Sequence, residues 1–205
     1  MSLAPKIDEV RHVVYKANFD FICITESWLK PHKQDSVVAF DGYHLVRRDR
    51  VEIMHGGVCT YIKDTIPFSI IEDLADDFLE VLWLDIRPYR LPRGVNNIIV
   101  GVIYHPPQAS SSQMLDYLTK CLSTIESRRL DCGIILLGDV NKLDTARLKS
   151  NFNLKQTINF PTRGLNTLDQ ILTKLKEYYD PPIKRPGIGL SDHCSVEVQP
   201  KVRSK

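Results

Sequence analysis

The stretch GIILLGDVNKLD, residues 133–144, decides how the rest of the chain is organised. Gly133 is followed by Ile134, Ile135, Leu136 and Leu137, four apolar residues without alternation. Such a run suits a strand buried on both faces, as inside an α/β fold. It stops at Gly138, Asp139 and Asn141. Side chains at i and i+2 of an extended chain share a face, so Asp139 and Asn141 project together from a rigid strand end. The same three residue types also make an ordinary turn. The segment alone supports both readings.

Working outward, apolar strand-like runs recur and several stop on a polar residue. FICIT ends at Glu26, IIVGVI at Tyr104 and IILL at Asp139 and Asn141, while Ser191, Asp192 and His193 precede CSVEV. Asp169 lies inside the apolar segment LDQIL, where a carboxylate needs a partner. Ile7, Val10, Val14 and Ala17 follow Pro5 at helical spacing. Ser110 to Ser112 can cap a second helix carrying Leu115, Leu118, Leu122 and Ile125. YHLVRRDR, GGVCTYIKD, FSIIE and LEVLWLDIRP add further strands, and DPPIKRPGIGL reads as a loop. Many strands follow one another directly, so a two-sheet α/β layered domain fits better than strict βαβ alternation.

The 205 residues suit one domain with a full core, and 43% apolar with 25% charged residues argues against disorder. A net charge of +2 leaves nucleic-acid binding to local clusters. The five cysteines show neither CxxC nor zinc spacing, and no signal peptide or membrane-length apolar run appears. Those features suggest a soluble intracellular protein, nuclear or cytoplasmic, without a membrane partner. Several acids converging without lysines would repel one another unless a divalent cation lay between them. Hard oxygen donors suit Mg²⁺ or Mn²⁺, and such a site with an imidazole is what phosphoester hydrolysis requires.

TE at 25–26, IY at 103–104, GDVN at 138–141, LD at 168–169 and SDH at 191–193 occur in an order that resembles the endonuclease/exonuclease/phosphatase superfamily. DFICITESWL, GYHLVRRDR, GGVCTYI, VGVIYHPP, LKQTINFPTRGLNTLDQILT and IGLSDHCSV are most similar to the apurinic-type endonuclease domain of LINE-type non-LTR retrotransposons. The resemblance implies a DNase I-like, four-layer α/β fold: a two-sheet β-sandwich flanked by helices over residues 1–200, with a short basic tail at 201–205. It implies Glu26 as principal metal ligand and Asp139 as activator of the attacking water, with Asn141 fixing water and phosphate. His193 would stabilise charge on the phosphate, oriented by Asp169. Asp192 would support the metal or the site's proton network, and Tyr104 would contact the phosphate or leaving oxygen. Ser191 would bond the phosphate, and Thr162 and Arg163 would sit on the DNA-facing loop. Arg47, Arg48, Arg50 and Lys184-Arg185 are candidate contacts to the DNA backbone, or simply a solvated charged face.

Members of that group begin with a strand bearing an asparagine and continue into a reverse transcriptase. The expectation is a domain lacking its first strand, with no reverse transcriptase domain in this chain. The implied activity is metal-dependent nicking of double-stranded DNA to leave a 3′-hydroxyl for target-primed reverse transcription. The alternatives are a catalytically impaired DNA-binding or interaction remnant and a phosphoesterase acting on another substrate.

Overall fold

The computed structural model describes residues 2–50 and 55–201. Apart from Lys201, the basic tail expected at 201–205 lies outside the described residues. Helix α1 (Ile7–Ala17) is followed by β1 (Phe21–Thr25), β2 (Tyr43–Arg48), β3 (Val58–Lys63), β4 (Phe68–Ile70), β5 (Glu80–Ile86) and β6 (Asn97–Tyr104). Helix α2 (Ser111–Arg128) and β7 (Cys132–Asp139) come next, then α3 (Ala146–Asn151), β8 (Lys155–Gln156), β9 (Asp169–Thr173), β10 (Ile183–Arg185) and β11 (Ser195–Glu197). Six strands form one sheet in the order β4-β5-β6-β7-β9-β8, and three form a second in the order β1-β3-β2. Strands β10 and β11 make a separate antiparallel pair inside the segment expected to be a loop and final strand.

Alternation along the strands explains why this chain stacks into four layers. On β5, Val81 and Trp83 face helix α2, while Leu82, Leu84 and Ile86 face the three-stranded sheet. On β6, Ile99 and Ile103 join the first set, and Ile98, Val100, Val102 and Tyr104 join the second. Strand β3 divides likewise: Val58 and Ile62 enter the space between sheets, and Cys59 and Tyr61 pack under Val10 and Val14 of α1. Three apolar clusters therefore separate helix, sheet, sheet and helix. This is the DNase I-like α/β architecture anticipated from the sequence.

Local chemistry sets the elements. Ser110 caps α2 by accepting from the Gln113 amide at 3.3 Å. The buried face of α2 is Met114, Leu118, Cys121, Leu122 and Ile125, whereas Leu115 is only partly buried. The continuous run in β7 is not uniformly buried: Ile134 and Leu136 are sealed under α2, but Ile135 and Leu137 are half-exposed on the inter-sheet side. All five cysteines are free thiols. Among the described residues no helix is long and apolar enough to cross a membrane.

One glycine controls how the sheet delivers its functional end. Gly138 sits opposite Ile103 in the parallel β6–β7 pair with φ +137°, and a Cβ there would lie 1.9 Å from the Ile103 carbonyl oxygen. Gly138→Ala should therefore destabilise the domain by about 2–4 kcal/mol, through overpacking against backbone and a forbidden φ. Gly164→Ala, with φ +54° but open space around it, should cost about 1 kcal/mol. Urea unfolding of both variants tests this, and equal losses would refute the steric account.

Candidate active site

Strand register assembles the site. Glu80 pairs with Tyr104, Tyr104 with Asp139 and Asp139 with Asp169. Residues in register on neighbouring strands share a face and lie about 4.8 Å apart per strand. Four polar side chains thus form a row of roughly 14 Å across one end of the large sheet. Because β6 and β7 are parallel while β5 and β9 run against them, this end collects two strand C-termini and two N-termini.

The smaller sheet contributes from above. Tyr104 donates its hydroxyl to Glu26 Oε1, immediately after the end of β1. Burial works to raise the Glu26 pKa, but the tyrosine bond and nearby positive charge, His193 included, bring it below the usual value. Glu26 is therefore ionised. Tyr104 moves upward, through burial first and then its bond to Glu26, so it keeps its proton.

Asp139 is buried, and its pKa is pushed up to about 6 by burial first and then by the charge of Asp169. Its Oδ1 accepts from the Asn141 amide at 3.0 Å. Asn141 has the left-handed φ of 47° that lets it fold back in this way, and its Nδ2 donates to the His105 carbonyl at 2.9 Å. The turn reading of GDVN therefore holds, and the turn fixes where the Asp139 carboxylate points.

His193 reaches the same row through its partner. Its Nδ1 lies 2.8 Å from Asp169 Oδ2. That hydrogen bond is the main reason its pKa is raised, against the opposing effect of burial. With Nδ1 held, Nε2 is the nitrogen left for a substrate. Ser191 Oγ accepts from the His193 amide at 3.3 Å, so in this arrangement the serine shapes the histidine's backbone. Thr162 is buried, with its hydroxyl accepting from the Leu168 and Asp169 amides at 3.0 and 3.1 Å. Its carbonyl accepts from Cys194 at 2.8 Å, which ties the two loops that carry Asp169 and His193. Arg163 and Asp192 form an exposed ion pair at 2.6 Å on the rim. Arg48 lies at the Glu80 end of the row, its Nε donating to the Leu79 carbonyl at 3.2 Å and its charge acting to lower the Glu80 pKa.

Glu80 was not foreseen. It is buried, accepts from the Gly57 amide and pairs with Arg50 Nε at 3.3 Å. Burial raises its pKa, opposed by the Gly57 bond and the Arg50 charge. The Gly56 and Gly57 carbonyls accept from the Trp28 and Ser27 amides at 2.9 and 3.1 Å. Glu80 thereby fixes the turn that holds the residues next to Glu26. A glutamate opening an alternating strand, LEVLWLDI, was the only sequence signal for it.

Residues 1–193 match the endonuclease/exonuclease/phosphatase family. The chain belongs to that family. Compared with the curated proteins, the sequence finds no match. Among solved structures it is similar to the endonuclease domain of TRAS1, a telomere-specific non-LTR retrotransposon, at 13% identity and a TM-score of 0.72, covering 97% of this chain and 94% of that one. The AP endonuclease LMAP from Leishmania major aligns at 15% identity and a TM-score of 0.74, covering 96% and 82%. The 3′-5′ exonuclease NExo from Neisseria meningitidis aligns at 15% and 0.68, covering 98% and 96%. At such identities these likenesses speak for the fold.

Asp139 gives the family member's site a measurable pH signature. Its folded pKa lies above the ordinary 3.8, so the folded state binds that proton more tightly than the unfolded chain. The resulting stabilisation is complete below about 4 and disappears as pH rises through about 6. Asp139→Asn, which keeps an oxygen for the Asn141 amide, should equal the wild type near pH 4 and exceed it above pH 7 by on the order of 2 kcal/mol. Urea unfolding in EDTA at both pH values decides the matter. A gap independent of pH would show that Asp139 is not a strained carboxylate.

Proposed function

We propose that this protein hydrolyses phosphodiester bonds in DNA, nicking double-stranded DNA to leave a 3′-hydroxyl and a 5′-phosphate. The observation that carries this reading is the His193–Asp169 pair set beside Asp139 in a single register row. A carboxylate with a raised pKa is a competent proton acceptor, and a cationic imidazole offsets charge on phosphorus. Asp139 takes a proton from water as its oxygen attacks phosphorus. The P–O3′ bond opposite breaks, and the departing oxygen is protonated by solvent. His193 Nε2 donates to a non-bridging oxygen, and Asp169 keeps the ring in that tautomer. The protonated Tyr104 hydroxyl and the Asn141 amide lie alongside to orient phosphate and water.

A hard divalent cation, Mg²⁺ or Mn²⁺, fits the donor chemistry. Among the described residues no three His, Cys, Asp or Glu side chains form a ready cage. Mg²⁺ does not need one, since it commonly binds one or two carboxylates plus water and substrate phosphate. The ionised Glu26 would hold it, and the rim carboxylate Asp192 pairs with Arg163 beside it. Bound there, the cation would supply positive charge against the phosphate.

DNA as substrate is supported by the rim. Leu165, on the tight loop bridged by Arg163 and Asn166, is 93% exposed, and Leu190, just before Ser191, is 96% exposed. Apolar side chains displayed this way beside Arg163 suit insertion into a DNA groove. Structures it resembles include a retrotransposon endonuclease domain, an AP endonuclease and NExo bound to product DNA hairpin.

Purified protein incubated with supercoiled plasmid should convert it to open circles with Mg²⁺ and not with EDTA. An Asp139→Ala/His193→Ala variant should lose at least ~100-fold in rate. Plasmid that stays supercoiled beside protein shown folded by circular dichroism would overturn the reading. It would leave a DNA-binding remnant or a phosphoesterase for another substrate.

A further inference from the structure

Trp28 lies two residues beyond Glu26, so the chain itself keeps their Cα atoms within about 7 Å. The indole is 37% exposed and stacks on the His55 ring with centroids 4.1 Å apart and planes within 14°. Glu26 and Trp28 both have φ 54°, a left-handed conformation costing ~1–2 kcal/mol for such residues. The cost is met by fixed contacts: Ser27 is fully buried between them, and Gly56 and Gly57 grip the Trp28 and Ser27 amides. Glu80 anchors that turn from beneath. Lys30 Nζ donates to the Arg50 carbonyl at 2.7 Å, tying the same segment to the arginine-bearing end of β2.

A singly exposed apolar residue on a protein surface is ordinary. This pair differs, because two flat rings are stacked parallel, with Trp28 on a strained, anchored backbone two residues from the ionised Glu26. Aromatic faces among cations are how proteins hold unstacked nucleobases, at about 1–3 kcal/mol per base.

We propose that the Trp28–His55 pair is a base-stacking platform, which takes the face of an unstacked nucleobase next to the phosphate at the active site. This rests on the reading of the site as acting on DNA, and it deepens that reading: duplex in which a base is unstacked or missing at the cut is preferred over continuous duplex. Perfect duplex engages the platform only when a base leaves its stack.

The chain offers a direct readout. It has two tryptophans, and the other, Trp83, is buried under α2 with its Nε1 donating to Tyr117. Emission changes on DNA binding therefore report Trp28. The intact protein is titrated in EDTA, so that no cleavage intervenes, with dye-labelled duplex either continuous or carrying a short single-stranded gap. Anisotropy of the dye measures binding, and tryptophan emission measures stacking. The gapped duplex should quench about half of the emission at saturation, more than the continuous one. Trp28→Phe should abolish the quench while keeping most affinity, and Trp28→Leu should bind roughly 5- to 150-fold more weakly. His55→Ala, which leaves the indole in place, should also weaken binding, and it serves if the Trp28→Leu variant fails to fold.

DNA bound with unchanged emission, or with Trp28→Leu and His55→Ala as tight as wild type, would overturn the platform and leave the nuclease reading intact. Quenching without plasmid nicking would support the platform and count against hydrolysis. Absence of any anisotropy change would overturn the platform, and plasmid nicking with Mg²⁺ decides the nuclease reading separately.

Discussion

Cross-strand register is the constraint on which this molecule depends. Glu80, Tyr104, Asp139 and Asp169 occupy four different strands and lie in one row only because β5, β6, β7 and β9 are paired as they are. A slip of one residue in any pair would turn a whole strand inside out. The apolar side chains prevent that slip. Leu82, Leu84, Val100 and Val102 belong between the sheets, Trp83, Ile99 and Leu136 belong under α2, and exchanging the two sets would expose both. Burial of the core and alignment of the site are therefore one event.

The row would be unfavourable in isolation. Carboxylates gathered at a partly buried edge repel one another, and each meets a different answer. Glu26 is stabilised as an anion by Tyr104, and Glu80 by the Gly57 amide and Arg50. Asp169 is paired with His193. Asp139 accepts one amide bond, yet its pKa remains raised. Environments that push neighbouring titratable groups apart are a mark of acid–base chemistry. In this arrangement Asp139 binds its proton more tightly than a free carboxylate, and His193 more tightly than a free imidazole.

The loops around this edge are held as firmly as the strands. Thr162 binds both the Asp169 amide and the Cys194 amide, so two chain segments far apart in sequence move together. Glu80 does the same for the 55–57 turn and the residues after Glu26. Thr162 and Ser191 were expected to touch substrate, and the bonds they make place the groups beside them. A short hydroxyl next to a catalytic motif has the same sequence signature in either role.

The sequence by itself determined most of the strands, the two long helices and the positions where polar residues end apolar runs, but not the short β8 or the β10 strand in the segment read as a loop. Apolar periodicity and local turn chemistry act over a few residues and are written in order along the chain. The motifs TE, GDVN, LD and SDH carried the family and most of the candidate site for the same reason. The Asp169–His193 pairing across 24 positions was anticipated only through the family resemblance, and tertiary structure alone decided that Glu80 supports the turn beside Glu26 and that Trp28 stacks on His55. It also placed Arg48 on the Leu79 carbonyl, beside Glu80 at the end of the row. Those pairings join residues distant in sequence, and they exist only once register and layer packing have brought the strand ends to one edge.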